Sequence, residues 1–174
     1  MRELTSTIRF TKASLGDVKS RQKEGSFLMP RNPQGSITFM ATWHQSNMRF
    51  AAQVLGRHSD EIVRISWDIA VVGDARRGSW YRRYYQTTSG KTRYASHECF
   101  EAGQQVGVRC VVPPAIGDDD FWQLMEIAGR YRGLSPYRPR EFGFYEMVAL
   151  SETKRKPDPE SPESSRAGAA ANCS

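Results

Sequence analysis

Residues 117–133, GDDDFWQLMEIAGRYRG, constrain the fold more than any other stretch, because they suit only one kind of element. Three carboxylates crowd the first turn, where free backbone N–H groups and the positive end of the helix dipole favour negative charge. Phe121, Leu124, Met125 and Ala128 then recur at helical spacing, and Arg130 and Arg132 close the other end. On either side the hydrophobic period changes. QQVGVRCVVPP before the helix reads as a strand stopped by two prolines, and REFGFYEMVAL after it as a final strand. The helix needs a sheet to cover its apolar stripe, and its two neighbours are the strands to build one.

The first half of the chain has the same theme. In ELTSTIRF, Leu4, Ser6, Ile8 and Phe10 alternate with Thr5, Thr7 and Arg9, the pattern of a half-buried strand. TKASLGDVKSRQKEGSFLMPRNPQGS follows as a loop that Phe27, Leu28 and Met29 anchor to the core. SITFMATW, Ser36 to Trp43, is β-branched and aromatic and predicts a second strand. SNMRFAAQVLGRH predicts a helix capped by Ser46 and stopped by Gly56, with Met48, Ala51, Ala52 and Leu55 on one face. EIVRISWDIAVVG predicts a strand with Val63, Ile65, Trp67, Ile69 and Val71 toward the core. Two helices among antiparallel strands imply an α+β protein with both helices on one face of the sheet. A ferredoxin-like split βαβ core with an added, projecting hairpin is the most economical arrangement.

A chain of 174 residues suits one domain with a real core. That domain is expected over 1–150. Residues 151–174, rich in Pro, Ser and Ala, predict a disordered tail whose four bases balance its four acids. The net charge of +6 therefore belongs to the folded part, and a basic balance of this size favours polyanionic partners. No apolar run approaches the ~18 residues of a membrane span, and no apolar leader opens the chain. Cys99, Cys110 and Cys173 show no CxxC pairing, so the expected compartment is a reducing cytoplasm, without zinc site or disulfide framework.

The charge is concentrated. RRGSWYRRYYQTTSGKTRYASHECF, Arg76 to Phe100, holds six Lys or Arg and five Trp or Tyr, with no acid before Glu98. It predicts a hairpin with TTSGKT as its turn. Along an extended strand Trp80, Arg82 and Tyr84 face one way and Tyr81, Arg83 and Tyr85 the other, so neither face is apolar enough for a core. Guanidinium groups pair with phosphates and aromatic rings stack on exposed bases, so these six residues are candidate nucleic-acid contacts. Arg76 and Arg77 lead into this track, and Lys91 and Arg93 extend it on the returning strand.

A second basic cluster lies in GRYRGLSPYRPREFGFYEMV, Gly129 to Val148. Arg130, Arg132, Tyr137, Arg138 and Arg140 surround two prolines that stiffen the connection between the last helix and the last strand. Gly133 suits a helix C-terminus that needs positive φ, and Gly143 suits a bulge or the close approach of another backbone. A Gly-containing basic loop that leads into Phe142-Gly143-Phe144-Tyr145 resembles the RAMP superfamily of RNA-binding proteins. The run Gly133-Leu134, Arg138-Pro139, Phe142-Gly143-Phe144 is also similar to uncharacterised phage proteins. The resemblance implies ferredoxin-like domains, a nucleic-acid backbone near Arg138, Arg140 and Gly143, and a phage origin. This loop has fewer glycines than the RAMP pattern and adds prolines.

Chemistry has weaker support. His44, His58 and His97 show no catalytic spacing, although RAMP-like ribonucleases use a histidine as acid or base. Asp118, Asp119 and Asp120 are explained by the helix start they occupy. No metal, cofactor or catalytic residue is expected. The sequence thus predicts a non-enzymatic protein that binds single-stranded DNA or RNA. Two alternatives stay open: a phage interaction, inhibitor or assembly protein whose basic arm meets an acidic protein surface, and a metal-independent ribonuclease.

Overall fold

β1, Arg2–Phe10, is the spine of a four-stranded sheet. Its alternation works as expected: Leu4, Ser6, Ile8 and Phe10 are buried, whereas Arg9 is exposed. The computed structural model describes residues 2–20, 24–33, 35–57, 66–68, 78–136 and 142–152. Within these, β8 (Gln105–Val112) pairs with one edge of β1, from Arg2↔Val112 to Arg9↔Gln105. β9 (Tyr145–Glu152) pairs with the other edge, and β5 (Ser66–Asp68) extends the sheet beyond β8. The order is β5-β8-β1-β9, with every pairing antiparallel.

Two helices complete the pattern. α1 (Ala41–Val54) lies between β1 and β5 in the chain, and α2 (Asp118–Tyr131) between β8 and β9. A strand, helix, strand unit is thus split by the central strand of the other unit, the ferredoxin-like arrangement. Trp43, Met48, Ala51 and Ala52 of α1 and Phe121, Leu124, Met125 and Ala128 of α2 share one core with Leu4, Ile8, Val108, Cys110 and Tyr145 of the sheet. Asp118 at the start of α2 pairs with Arg2 at 2.6 Å, and Asp120 pairs with Arg57. The acidic first turn is therefore a structural feature of the helix.

Two local expectations are corrected. Ser36 to Trp43 is not a strand: one isolated bridge joins Arg31 to Ile37, and from Ala41 the chain is already helical. α1 begins five residues before Ser46, after an extended Met40 with no side-chain cap bond. Burial of Trp43, Asn47, Met48, Ala51 and Ala52 along one stripe outweighs the β-propensity of the stretch. The helix ends where expected, beside Gly56 at φ 65°.

The expected loop contributes three very short strands, β2 (Ser14–Leu15), β3 (Val18–Lys19) and β4 (Ser26–Leu28). They join the hairpin β6 (Ser79–Gln86) and β7 (Thr92–Phe100) in a second sheet. β6 covers one edge of β7 along its length, while β2 and β4 bond to the other. Met29 is buried as expected, while Phe27 and Leu28 are half-buried. Ser151 and Glu152 belong to β9, so ordered strand continues two residues past the expected boundary. The rest of the tail lies outside the described residues.

Candidate nucleic-acid interface

The arm is built on a buried base. In β7, Ala95 and the run His97 to Phe100 are buried, and Phe100 stacks on Phe10 at 5.6 Å between ring centroids. Glu98 ties three segments together there. One carboxylate oxygen accepts the Met29 N–H at 2.9 Å, and the other accepts the Gly78 N–H at 2.9 Å and Arg31 at 2.5 Å. A buried carboxylate is stable only when paired and bonded in this way.

Beyond that base the arm is solvent-facing. Trp80, Tyr84 and Tyr94 are 57%, 63% and 54% exposed, and Tyr81 and Tyr85 are also exposed. The turn is set by Thr87, whose N–H donates to the Lys91 carbonyl at 2.9 Å, and by Gly90 at φ 76°. Cross-strand register puts Trp80, Arg82, Tyr84, Tyr94 and Ser96 on one face. Tyr81, Arg83, Tyr85, Arg93 and Ala95 share the other. Lys91 is exposed at the end of the turn. Trp80 to Tyr85, Lys91 and Arg93 are therefore together on one arm, and no acid lies between Ser79 and His97.

The face with Arg83 is closed inward. His97 is fully buried, and its Nδ1 donates to the Gly16 carbonyl at 2.8 Å, which fixes the tautomer. Nε2 then accepts from Arg83 Nε at 3.4 Å. Phe27 stacks on the imidazole at 4.8 Å. Burial lowers the His97 pKa, and the Arg83 charge adds to this, while the Gly16 bond and Asp17 oppose it. His97 thus serves as a neutral bracket for Arg83. His44 is likewise buried, with both ring nitrogens out of contact with solvent. His58 lies outside the described residues.

The basic loop reaches the same face. Gly133 and Gly143, at φ 68° and 79°, pass so closely that a Cβ on either would fall 2.6 Å from the other segment's backbone. The Leu134 N–H donates to the Gly143 carbonyl at 2.8 Å, and the Gly143 N–H donates to Ala13 at 2.7 Å. Both glycine expectations are met, with close backbone approach as the reason for Gly143. Phe142 then meets Tyr81 edge-on at 5.5 Å. Of the predicted loop contacts, Arg130 is exposed and lies 3.8 Å from Glu126, and Arg132 covers the Phe50 ring of α1 at 4.3 Å. Arg76, Arg77, Tyr137, Arg138 and Arg140 lie outside the described residues.

Arg132 belongs to a patch the sequence did not reveal. Thr42, Gln45, Ser46, Arg49, Phe50 and Gln53 line one face of α1 and, with Arg132, surround a hollow of about 370 Å³. The α1 sequence contains no acid. Tyr94 was also missed, although its alternation with Arg93 and Ser96 in TRYASH was the available signal. Burial raises the Cys99 thiol to about 11 and drives Cys110 up as well, so both stay protonated at neutral pH. Among the described residues no cluster of His, Cys, Asp or Glu could hold a metal ion, and no helix is long and apolar enough to cross a membrane.

Neither a protein-family model nor a curated protein matches the sequence. The fold has a counterpart among solved structures. A chain of the cryo-EM structure of the Type III-B Cmr-beta bound to cognate target RNA superposes with a TM-score of 0.59 at 12% identity. The match covers 87% of this chain and 60% of that one, so the present chain spans less than two thirds of its counterpart. At this identity the likeness is one of fold, and the fold is the one the RAMP resemblance implied.

Proposed function

We propose that this chain binds single-stranded nucleic acid through the β6–β7 arm, with Arg130, Arg132, Tyr137, Arg138 and Arg140 of the loop as further contacts, and does no chemistry on the strand. One observation carries the reading: five exposed rings alternate with Arg82, Arg83, Lys91 and Arg93 on an arm whose only acid is the buried, paired Glu98 at its base. Rings stack best on bases that are not already stacked in a duplex, which favours single strands. The outer face of the four-stranded sheet supports the arm as the binding element, since β1 and β8 direct Thr5, Thr7, Arg9, Arg109 and Val111 there and no aromatic ring. The related fold also occurs in a complex whose structure holds target RNA. A cytoplasmic location fits such a partner, and the phage origin rests on the loop resemblance alone.

The ribonuclease alternative is disfavoured by the burial of His44 and His97. The direct test is the variant Arg82→Ala/Arg83→Ala, titrated with a labelled single strand at several salt concentrations. Affinity should fall for every sequence alike, and the slope of log K against log salt should shrink by about 1.4 for the two lost phosphate contacts. Wild-type affinity and slope in this variant would remove the arm from the interface. An acidic protein would then be the partner to seek.

A further inference from the structure

The two faces of the arm are not equivalent. On one, Arg83 is bracketed by His97 and lies 5.9 Å from the Tyr85 ring centre, and Tyr81 rests against Phe142. Its groups contact one another. On the other face, Ser26, Ser96 and Arg82 form one row across three neighbouring strands, because Ser26 pairs with Ser96 and Arg82 pairs with Ser96. The two serines are the small residues of the row, and a hollow of about 430 Å³ opens above them. Trp80 and Arg82 are its other described walls. The Arg82 guanidinium leans 5.2 Å over Tyr94, which in turn meets Tyr84 at 6.2 Å.

We infer that this hollow takes one nucleobase from a bound single strand, with Trp80 as its stacking plane. The inference rests on the proposed function and assigns a subsite within it. An exposed indole offers a flat apolar surface to a flat ring, and a neighbouring guanidinium can stack on it or pair with the adjoining phosphate. A serine hydroxyl donates or accepts by rotating, so Ser26 and Ser96 can meet the edge of any base. The site therefore takes a base without demanding a particular one. An aliphatic ligand would find no aliphatic side chain among the described lining. An acidic peptide would satisfy Arg82 and leave Trp80 with nothing to stack on.

The test uses the full chain and a fluorescein-labelled oligothymidine carrying a single 2-aminopurine. Anisotropy reads binding, and 2-aminopurine emission reads stacking of that base. Saturating wild type should quench the 2-aminopurine. Trp80→Ala, which truncates an exposed ring and opens no core, should lose most of that quenching and bind about ten-fold more weakly, the effect of one stacked base. Ser96→Phe, which fills the hollow, should act the same way. In both variants the salt slope should stay at the wild-type value, because no phosphate contact is removed. Binding with no quenching, or quenching that survives both substitutions, would overturn the subsite and leave the proposed function standing. No anisotropy change with any variant or wild type would overturn both.

Discussion

Glu98 shows how much one side chain does at the root of the arm. Its carboxylate serves Met29, Gly78 and Arg31, so Glu98→Ala would strand two N–H groups and remove the Arg31 ion pair. Such a loss costs about 3 kcal/mol, measurable as a lower urea midpoint with an unchanged slope. His97 makes a separate prediction. Its folded pKa lies below the ordinary 6.5, so on acidification the unfolded chain takes up this proton first. The stability tied to neutral His97 is complete above 6.5 and is lost as pH falls below it. Asp17, which burial holds above 3.8, acts in the opposite sense. The wild type should lose more melting temperature than His97→Gln between about pH 7.5 and about pH 5.5. Parallel losses would mean that His97 is not held neutral. Neither role was legible in the sequence. His97 and Glu98 are neighbours in a basic stretch, and what buries them comes from residues 16 to 31, some seventy positions away.

At the scale of elements, patterning was a good guide for strands and helices of eight residues or more, with the start of α1 as the exception. β1 and α2 follow their alternation and stripe closely, and β8, β9 and the hairpin lie where the pattern put them, although His97 to Phe100 are buried without alternation. β2, β3 and β4 could not be read, because two or three residues carry no period and their pairing with β7 and with each other is decided in three dimensions. The start of α1 was misread for a different reason: Ser46 looks like a cap, while the true first turn has none. Packing of α2 on β9 gives a counterintuitive prediction. Replacing a helical glycine by alanine ordinarily gains about 1 kcal/mol. At Gly129 the new Cβ would collide with the Tyr145 backbone carbonyl of β9 and lie 2.6 Å from the buried Tyr145 ring, and overpacking costs about 1–3 kcal/mol. Gly129→Ala should therefore lower the melting temperature. A rise would show that the helix and the β9 backbone can separate enough to admit a methyl group.

For the whole molecule, a ferredoxin-like core supports a second sheet from which a basic aromatic arm extends. The general character of the arm was legible because charge and rings are interleaved within one local stretch. The inequality of its faces was not, since it depends on Gly16, Ser26, Phe27 and Phe142 arriving from elsewhere in the chain. The same holds for the α1 hollow, where Arg132 comes to Phe50 from just past the end of α2. A net charge of +6 supplies a long-range attraction for any polyanion, so binding alone would say little without its dependence on strand state and salt. The measurement that bears most directly on the account is anisotropy of labelled single-stranded DNA, single-stranded RNA and duplex DNA, each titrated with the full chain at two salt concentrations. Binding to a single strand should be tight and steeply salt-dependent, and binding to the duplex weaker. Equal affinity for all three, or no binding at low salt, would contradict this.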